Sequence, residues 1–264
     1  MAMIELFRNH RVVNWHEHIW SDESGKRAPA NFRHLMHMAD VTHTDVLVCS
    51  NPFYVKGATP EQFIHCNNVL YESMCEYPGR IRGMCYVNPG YRREALAEIE
   101  RCVLQLGFTG VKLYNQYHLC DPVLEDVIRQ CIALDIPILC HAGKLNHCRE
   151  TQPFISDGTH FARAAEKFPD AVFVYAHIGG GGDWQWSLKA IAPYPNVFAD
   201  TSGSVCDEGI LEESVRLLGA DRLLFGSDMS YSANVGKILA ARIPEEDKIT
   251  ILDNPRFHRY LERR

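Results

Sequence analysis

The sequence predicts an α/β protein, a (β/α)8 barrel, regular or distorted, with its chemistry at the carboxyl ends of the strands. Three observations carry that prediction. Short runs rich in Val, Ile, Leu and Phe recur along the 264 residues, near 12–17, 44–49, 80–87, 107–114, 136–142, 171–177, 196–202 and 221–228. Runs this short and this continuously apolar suit strands buried on both faces of a parallel sheet. Helical patterns separate them, as right-handed crossovers require. The eightfold repeat leaves about 33 residues per unit, close to the roughly 250 residues of such a barrel. A doubly wound open sheet is the rival on these patterns. No Pro/Gly/Ser-rich linker divides the chain, so one domain is expected over residues 1–264.

The first run leads into NWHEHIW, residues 14–20, where His16 and His18 stand two apart. On a strand, that spacing points both imidazoles the same way. After the second run, TPEQFIHCNNVLYESMCEY offers Thr59 as N-cap, Pro60 at the first helical position and Gln62 for a capping box. After the third, REALAEIERCVLQLG stops at Gly107, a left-handed terminator. The fourth run, GFTGVKLY, carries Lys112. Beyond it, DPVLEDVIRQCIAL opens with Asp121 and Pro122 and sets Leu124, Val127, Ile128, Cys131 and Ile132 on one helical face. The fifth run ends near His141 and the sixth near His177; the seventh carries Asp200 and the eighth ends in Asp228. Residues 159–168, 208–219 and 232–242 read as further helices.

A charged or imidazole side chain in a buried strand is expensive unless it has a partner. In a barrel the carboxyl ends of all strands meet on one face. Three or four imidazoles with one carboxylate would then form a ligand set suited to Zn²⁺, and also to Fe²⁺, Mn²⁺ or Co²⁺. Each residue alone has a bland reading. The histidines could be satisfied core residues, Asp228 could cap the next helix, and Asp200 could pair with Lys112 or orient a ligand. The ordered set favours a metal site. Around the mouth, Tyr114, Asn115 and Tyr117 follow the fourth run, and Lys144 and His147 follow the fifth. The run HIGGGGDW either lets backbone N–H groups approach an anion or simply turns the chain. Trp184 and Trp186 either wall the pocket or pack the outer helices.

Composition narrows the function classes. Apolar residues at 46% and charged residues at 23% are ordinary for a globular protein. A formal charge of −6 without a dense Lys/Arg run argues against nucleic acid or an anionic membrane as partner. No apolar run is long enough to span a bilayer, and the opening MAMIELFRNHRVVNW lacks the features of a signal peptide. The ten cysteines are scattered and none forms a CxxC, so reduced, mostly buried thiols are expected. These features together predict a cytoplasmic protein acting on a small molecule, as a monomer or a homo-oligomer.

The segments NWHEHIW, GFTGVKLY, PILCHAG, FVYAHIGGG, NVFADTSG and DRLLFGSD, with the tail ITILDNPRFHRYL, resemble the amidohydrolase superfamily nearly end to end. The likeness is to its amidohydrolase-related branch of mostly single-metal TIM-barrel enzymes. The resemblance implies that His16, His18 and His141 are metal ligands, and that Asp228 binds the metal and takes a proton from the attacking water. It implies that His177 binds a second metal in two-metal members, or faces water or substrate in one-metal members. Lys112, Tyr114 and Lys144 are then the residues expected at the substrate. One divalent ion, Zn²⁺ first, is expected; a second would follow if Lys112 were carboxylated by CO₂, although a free amine is favoured. Asn14 departs from the pattern, which often has Asp there. The implied activity is hydrolysis of an amide, ester, lactone or similar bond by a metal-activated water. The alternative is non-oxidative decarboxylation of an unsaturated or aromatic carboxylic acid on the same site. Decarboxylases of the branch tend to have longer chains, so the short chain leans toward hydrolysis. A third reading is non-enzymatic, a barrel that binds metal structurally or has decayed into a binding module. A structural zinc usually fills its positions with Cys and His, no cysteine here pairs with these histidines in a recognisable spacing, and the His/His/His/His/Asp set is complete.

Overall fold

The eight apolar runs form strands β1 (Val13–His18), β2 (Val46–Ser50), β3 (Ile81–Tyr86), β4 (Gly110–Leu113), β5 (Ile138–Cys140), β6 (Phe173–Tyr175), β7 (Val197–Asp200) and β8 (Leu223–Leu224). In the computed structural model, which describes residues 2–52, 57–144 and 148–262, they pair in parallel in the order β1 to β8. The ring closes between its ends. The Trp15 N–H donates to the Phe225 carbonyl at 2.8 Å, and the Asp228 N–H to the His16 carbonyl at 2.8 Å. The fold is therefore a (β/α)8 barrel.

Helices Pro60–Glu76, Arg92–Glu100, Glu125–Ala133, Gly158–Lys167, Ile210–Leu218 and Tyr231–Ala240 lie where the sequence predicts them. Their start signals operate as read: Gln62 Oε1 accepts the Thr59 N–H at 2.9 Å, and Asp121 accepts the Val123 N–H at 3.0 Å. Gly107 takes φ +72° after a wider last turn, Arg101–Gln105. Helices Pro29–Val41 and Trp184–Ile191 complete the crossovers. The first escapes sequence reading because only Phe32, Leu35 and Ala39 are buried along its thirteen residues. The second begins directly after a glycine run that reads as loop. Asn254 starts the closing element, accepting from the Arg256 N–H and donating to the carbonyls of Asp221 and Leu223.

Strand alternation sorts the side chains into two cores. Residues of one parity pack inside the barrel, among them Val13, Trp15, Val48, Met84, Leu139, Val174, Phe198 and Leu224. Phe257 plugs the lower end, its ring 4.9 Å from Trp15 and 4.8 Å from Phe198. The opposite parity packs outward against the helices. Further up the same inward rows the apolar residues give way to polar ones: Leu139 is followed by His141, and Phe198 by Asp200. The interior is thus apolar at the amino ends of the strands and polar at the carboxyl ends.

Two strands reach that polar layer by breaking alternation. In β1 the register with β2 slips by one residue between Asn14 and Glu17. This bulge lets Trp15 below and His16 and His18 above share the interior, the re-aiming that bulges provide. Just past β6, Ala176 faces inward, and His177 follows in the left-handed region at φ +69°. Asp228 and Met229, just past β8, are left-handed too, at φ +44° and +64°. Non-glycine residues hold such angles only where their surroundings over-determine them.

Glycine is required where the loops above β5, β6 and β7 cross. A Cβ on Gly203, at φ +102°, would stand 2.3 Å from the Gly179 backbone. Gly203→Ala is expected to cost about 2–3 kcal/mol from left-handed strain and backbone overlap. A fall in the urea midpoint measures it; an unchanged midpoint would show that the crossing relaxes freely.

Among the described residues nine cysteines are free thiols, six of them buried. No helix among those residues is long and apolar enough to cross a membrane.

Candidate metal centre

β1 delivers His16 and His18, and the turn after β8 delivers Asp228. The His18 Nε2 lies 2.9 Å from Asp228 Oδ1, and the His16 Nε2 3.7 Å from the same oxygen. Ligand atoms of these three side chains all lie within 4.8 Å of one another, a metal-sized group. Each ring is held from behind. His16 Nδ1 lies 2.9 Å from Asp200 Oδ2, and His18 Nδ1 lies 3.0 Å from Ser50 Oγ. Asp200 cannot donate when ionised, so the Nδ1 of His16 is the donor in this contact and its Nε2 faces forward. Such outer partners fix tautomer and orientation.

His177 stacks beside this group, its ring centroid 4.7 Å from that of His16. Its Nδ1 lies 2.9 Å from Ser202 Oγ and 3.3 Å from Asp228 Oδ2. Its Nε2 lies 3.0 Å from His141 Nδ1. His141 therefore joins the cluster through His177, outside the metal-sized group; its Nε2 faces Gln152 Oε1 at 3.1 Å. Tyr114 stacks on His141 at 4.8 Å and 11°. Lys112 is fully buried, and its Nζ lies 2.7 Å from His16 Nε2.

Burial sets the protonation of this layer. It pushes His18 down to about 4 and His177 down to about 3, so both rings are neutral at pH 7. His141 is likewise driven well below the ordinary imidazole range by burial and by its neighbours His177 and Lys112. Burial lowers Lys112 to about 8 against the pull of Asp228 and Asp200. For Asp228, burial works upward, but the imidazoles of His16, His177 and His18 outweigh it and hold the carboxyl well below its usual range. Neutral imidazoles beside an ionised carboxylate are the forms a divalent cation binds. The donor set fits such an ion, and two imidazoles with one carboxylate leave positions open, as catalytic rather than structural sites do.

The structure brings some loop candidates to this layer and not others. Asn115 donates to Gln152 Oε1 at 2.8 Å and so braces the partner of His141. Tyr117 packs against Gly90. Lys144 is exposed and its ammonium pairs with Asp157 rather than with the cluster. His147 lies outside the described residues. In the glycine run, Gly179, Gly180 and Gly181 press against neighbouring backbone, so close packing accounts for those three. Trp184 is buried and donates to Asp207 at 2.8 Å, whereas Trp186 is 75% exposed.

Sequence reasoning missed Ser50, Ser202 and Gln152, whose only signal is a position at the end of a strand, two residues past one, or within a loop. It also missed Glu17. This carboxyl is 1% exposed and burial pushes it up to about 7. It accepts from Ser227 Oγ, from Asn14 Nδ2 at 3.3 Å, and from the Met229 N–H. The carboxyl missing at Asn14 is thus present at the same seam, three residues on.

Residues 13–243 match the family model described as Amidohydrolase. The chain is 26% identical over 196 residues to the 2-keto-4-carboxy-3-hexenedioate hydratase of Sphingobium sp. (strain NBRC 103272 / SYK-6), covering 62% of this chain and 57% of that protein. It is 25% identical over 215 residues to the gamma-resorcylate decarboxylase of Polaromonas sp. (strain JS666 / ATCC BAA-500), covering 62% and 64% respectively. It thus spans less than two thirds of the length of these curated relatives. Among solved structures it is similar to the 5-carboxyvanillate decarboxylase of Novosphingobium aromaticivorans DSM 12444, complexed with manganese and 4-hydroxy-3-methoxy-5-nitrobenzoic acid. That likeness has a TM-score of 0.74 at 15% identity, over 96% of each chain, and is one of fold.

Proposed function

This chain belongs to the amidohydrolase family, and from that footing we propose that it is a metal-dependent lyase, a non-oxidative decarboxylase of an unsaturated or aromatic carboxylic acid. The observation that carries this reading is the metal-sized group of His16, His18 and Asp228, in a chain related to a decarboxylase and a hydratase. Hydrolysis has less support: none of the three proteins named above is a hydrolase. The ligand set does not separate these reactions, because reaction type lies in the loops around it.

His16, His18 and Asp228 would hold one divalent ion, Mn²⁺ or Zn²⁺. Manganese in the decarboxylase of similar fold favours the first. When bound, the ion supplies positive charge where the substrate's carboxylate and adjacent oxygen gather electron density. The chain's own groups do the rest. Asp200 and Ser50 keep the two ring nitrogens aimed forward. Loss of CO₂ breaks the C–C bond and leaves an electron pair on carbon, which must take up a proton. Asp228, ionised at neutral pH and with 26% of its side chain exposed, accepts a proton from the bound acid or from water and returns it to that carbon. Tyr114, stacked on His141, offers a flat wall for a planar substrate.

A second reading has one specific support: the 26%-identical relative is a hydratase. Mn²⁺- or Zn²⁺-loaded protein should therefore be screened on aromatic and conjugated carboxylic acids. CO₂ release and loss of conjugated absorbance are followed together, with lactones and esters in parallel. The expected result is CO₂ released one-for-one with substrate consumed, abolished by chelation and restored by metal. Absorbance loss without CO₂ would establish hydration instead, and turnover confined to lactones or esters would restore hydrolysis.

A further inference from the structure

Asp228 sits in a turn that its own backbone does not favour. Asp228 and Met229 both hold positive φ, at +44° and +64°, with no glycine to make that cheap. The contacts that hold the turn come from β1, about 210 residues earlier in the chain. The Met229 N–H, just after Asp228, donates to both Glu17 oxygens, at 3.3 and 3.2 Å. The Ser227 hydroxyl, just before it, donates to Glu17 Oε1. Asn14 closes the frame: its Nδ2 reaches Ser227 Oγ at 2.7 Å, and its Oδ1 accepts the Ser227 N–H at 3.1 Å. One buried carboxyl thus grips the residues on both sides of Asp228, from the strand that carries His16 and His18.

We propose that Glu17 is a positioning residue that holds the Ser227–Met229 turn so that the Asp228 carboxylate faces His18 Nε2. It rests on the reading of His16, His18 and Asp228 as a cation site, and it adds a residue that touches neither cation nor substrate. Glu17 lies between two ligands on β1 yet turns its side chain away from both, toward the closing seam of the barrel. A carboxyl is suited to that place because it can accept a backbone N–H and a hydroxyl proton at once. A glutamine there retains one acceptor oxygen and turns an N–H₂ donor toward groups that are themselves donors.

The test is a double-mutant cycle on the full-length chain, with Co²⁺ as the probe, read by its visible absorption and by competition with a chelator. Glu17→Gln is expected to weaken Co²⁺ binding about 10-fold in the native background. In Asp228→Asn, the same change should cost less than 2-fold, because the carboxylate it positions is gone. Hydrogen exchange on the metal-free protein is the second readout: the Met229 amide should exchange at least 10-fold faster in Glu17→Gln, with the strands unchanged. An equal loss of Co²⁺ affinity in both backgrounds would overturn the proposal, as would an unchanged Met229 amide. If Glu17→Gln does not fold, Ser227→Ala removes one of the gripped groups and is held to the same outcomes. Failure of the native protein to bind Co²⁺ would count against the cation site, and amide exchange alone would then decide the role of Glu17.

Discussion

Asp228→Asn is expected to lower turnover about 10³-fold while the protein still takes up its metal, the range lost when a positioned proton-transfer group is removed. Asparagine fills the same space and can still present an oxygen toward His18 Nε2, so His16 and His18 keep their places. What it cannot do is carry a proton. The native carboxyl is suited to that task because the surrounding imidazoles keep it ionised and ready to accept one. Its side chain is also more open to the mouth than those of His16, His18 or His177. The check is single-turnover kinetics normalised to metal content. A variant within a few-fold of native turnover would remove Asp228 from proton transfer and leave it only a ligand.

Arg222→Met is expected to destabilise the fold by about 3–5 kcal/mol, without touching the site. Arg222 is 7% exposed. Its guanidinium donates to four carbonyls, those of Ile191, Ala192, Tyr194 and Val197, at 2.7 to 2.9 Å. Ile191 and Ala192 end a helix, where carbonyls lack intrahelical partners, and Val197 begins β7. A single planar fork therefore ties the sixth crossover to the seventh strand beneath the barrel. Methionine matches its length but donates nothing: the Ile191 and Tyr194 carbonyls keep only the N–H groups of Tyr194 and Val197, and those of Ala192 and Val197 lose the guanidinium. Lysine, a point donor, should recover only part of the loss. Urea or thermal unfolding reads the effect, and a cost under about 1 kcal/mol would mean that water replaces the guanidinium freely.

The barrel was legible because its signals are local. Eight apolar runs, capping residues such as Thr59 and Asp121, and the stop at Gly107 each act within a few residues of themselves. The convergence of His16, His18 and Asp228 was legible for a related reason: polar groups at the ends of buried strands conflict with their surroundings unless they meet. What escaped depends on contacts across the chain. The spacing of His16 and His18 suggests simple alternation, but the β1 bulge is what lets them share the interior with Trp15, and a bulge is a property of the pairing with β2. Glu17 reads as the outward residue between two histidines until β8 is laid beside it. Lys144 reads as a mouth cation until Asp157 is found to hold it.

The closing seam has a consequence for how the protein is made. Asn14 and Ser227, which meet there, are 213 positions apart. Contacts of that span are costly to establish and form late. During synthesis the histidine pair emerges about 210 residues ahead of its acidic counterpart Asp228. Assembly of the His16, His18 and Asp228 group therefore waits on the eighth strand: a nascent chain released before Asp228 keeps both imidazoles and lacks the carboxylate that meets them.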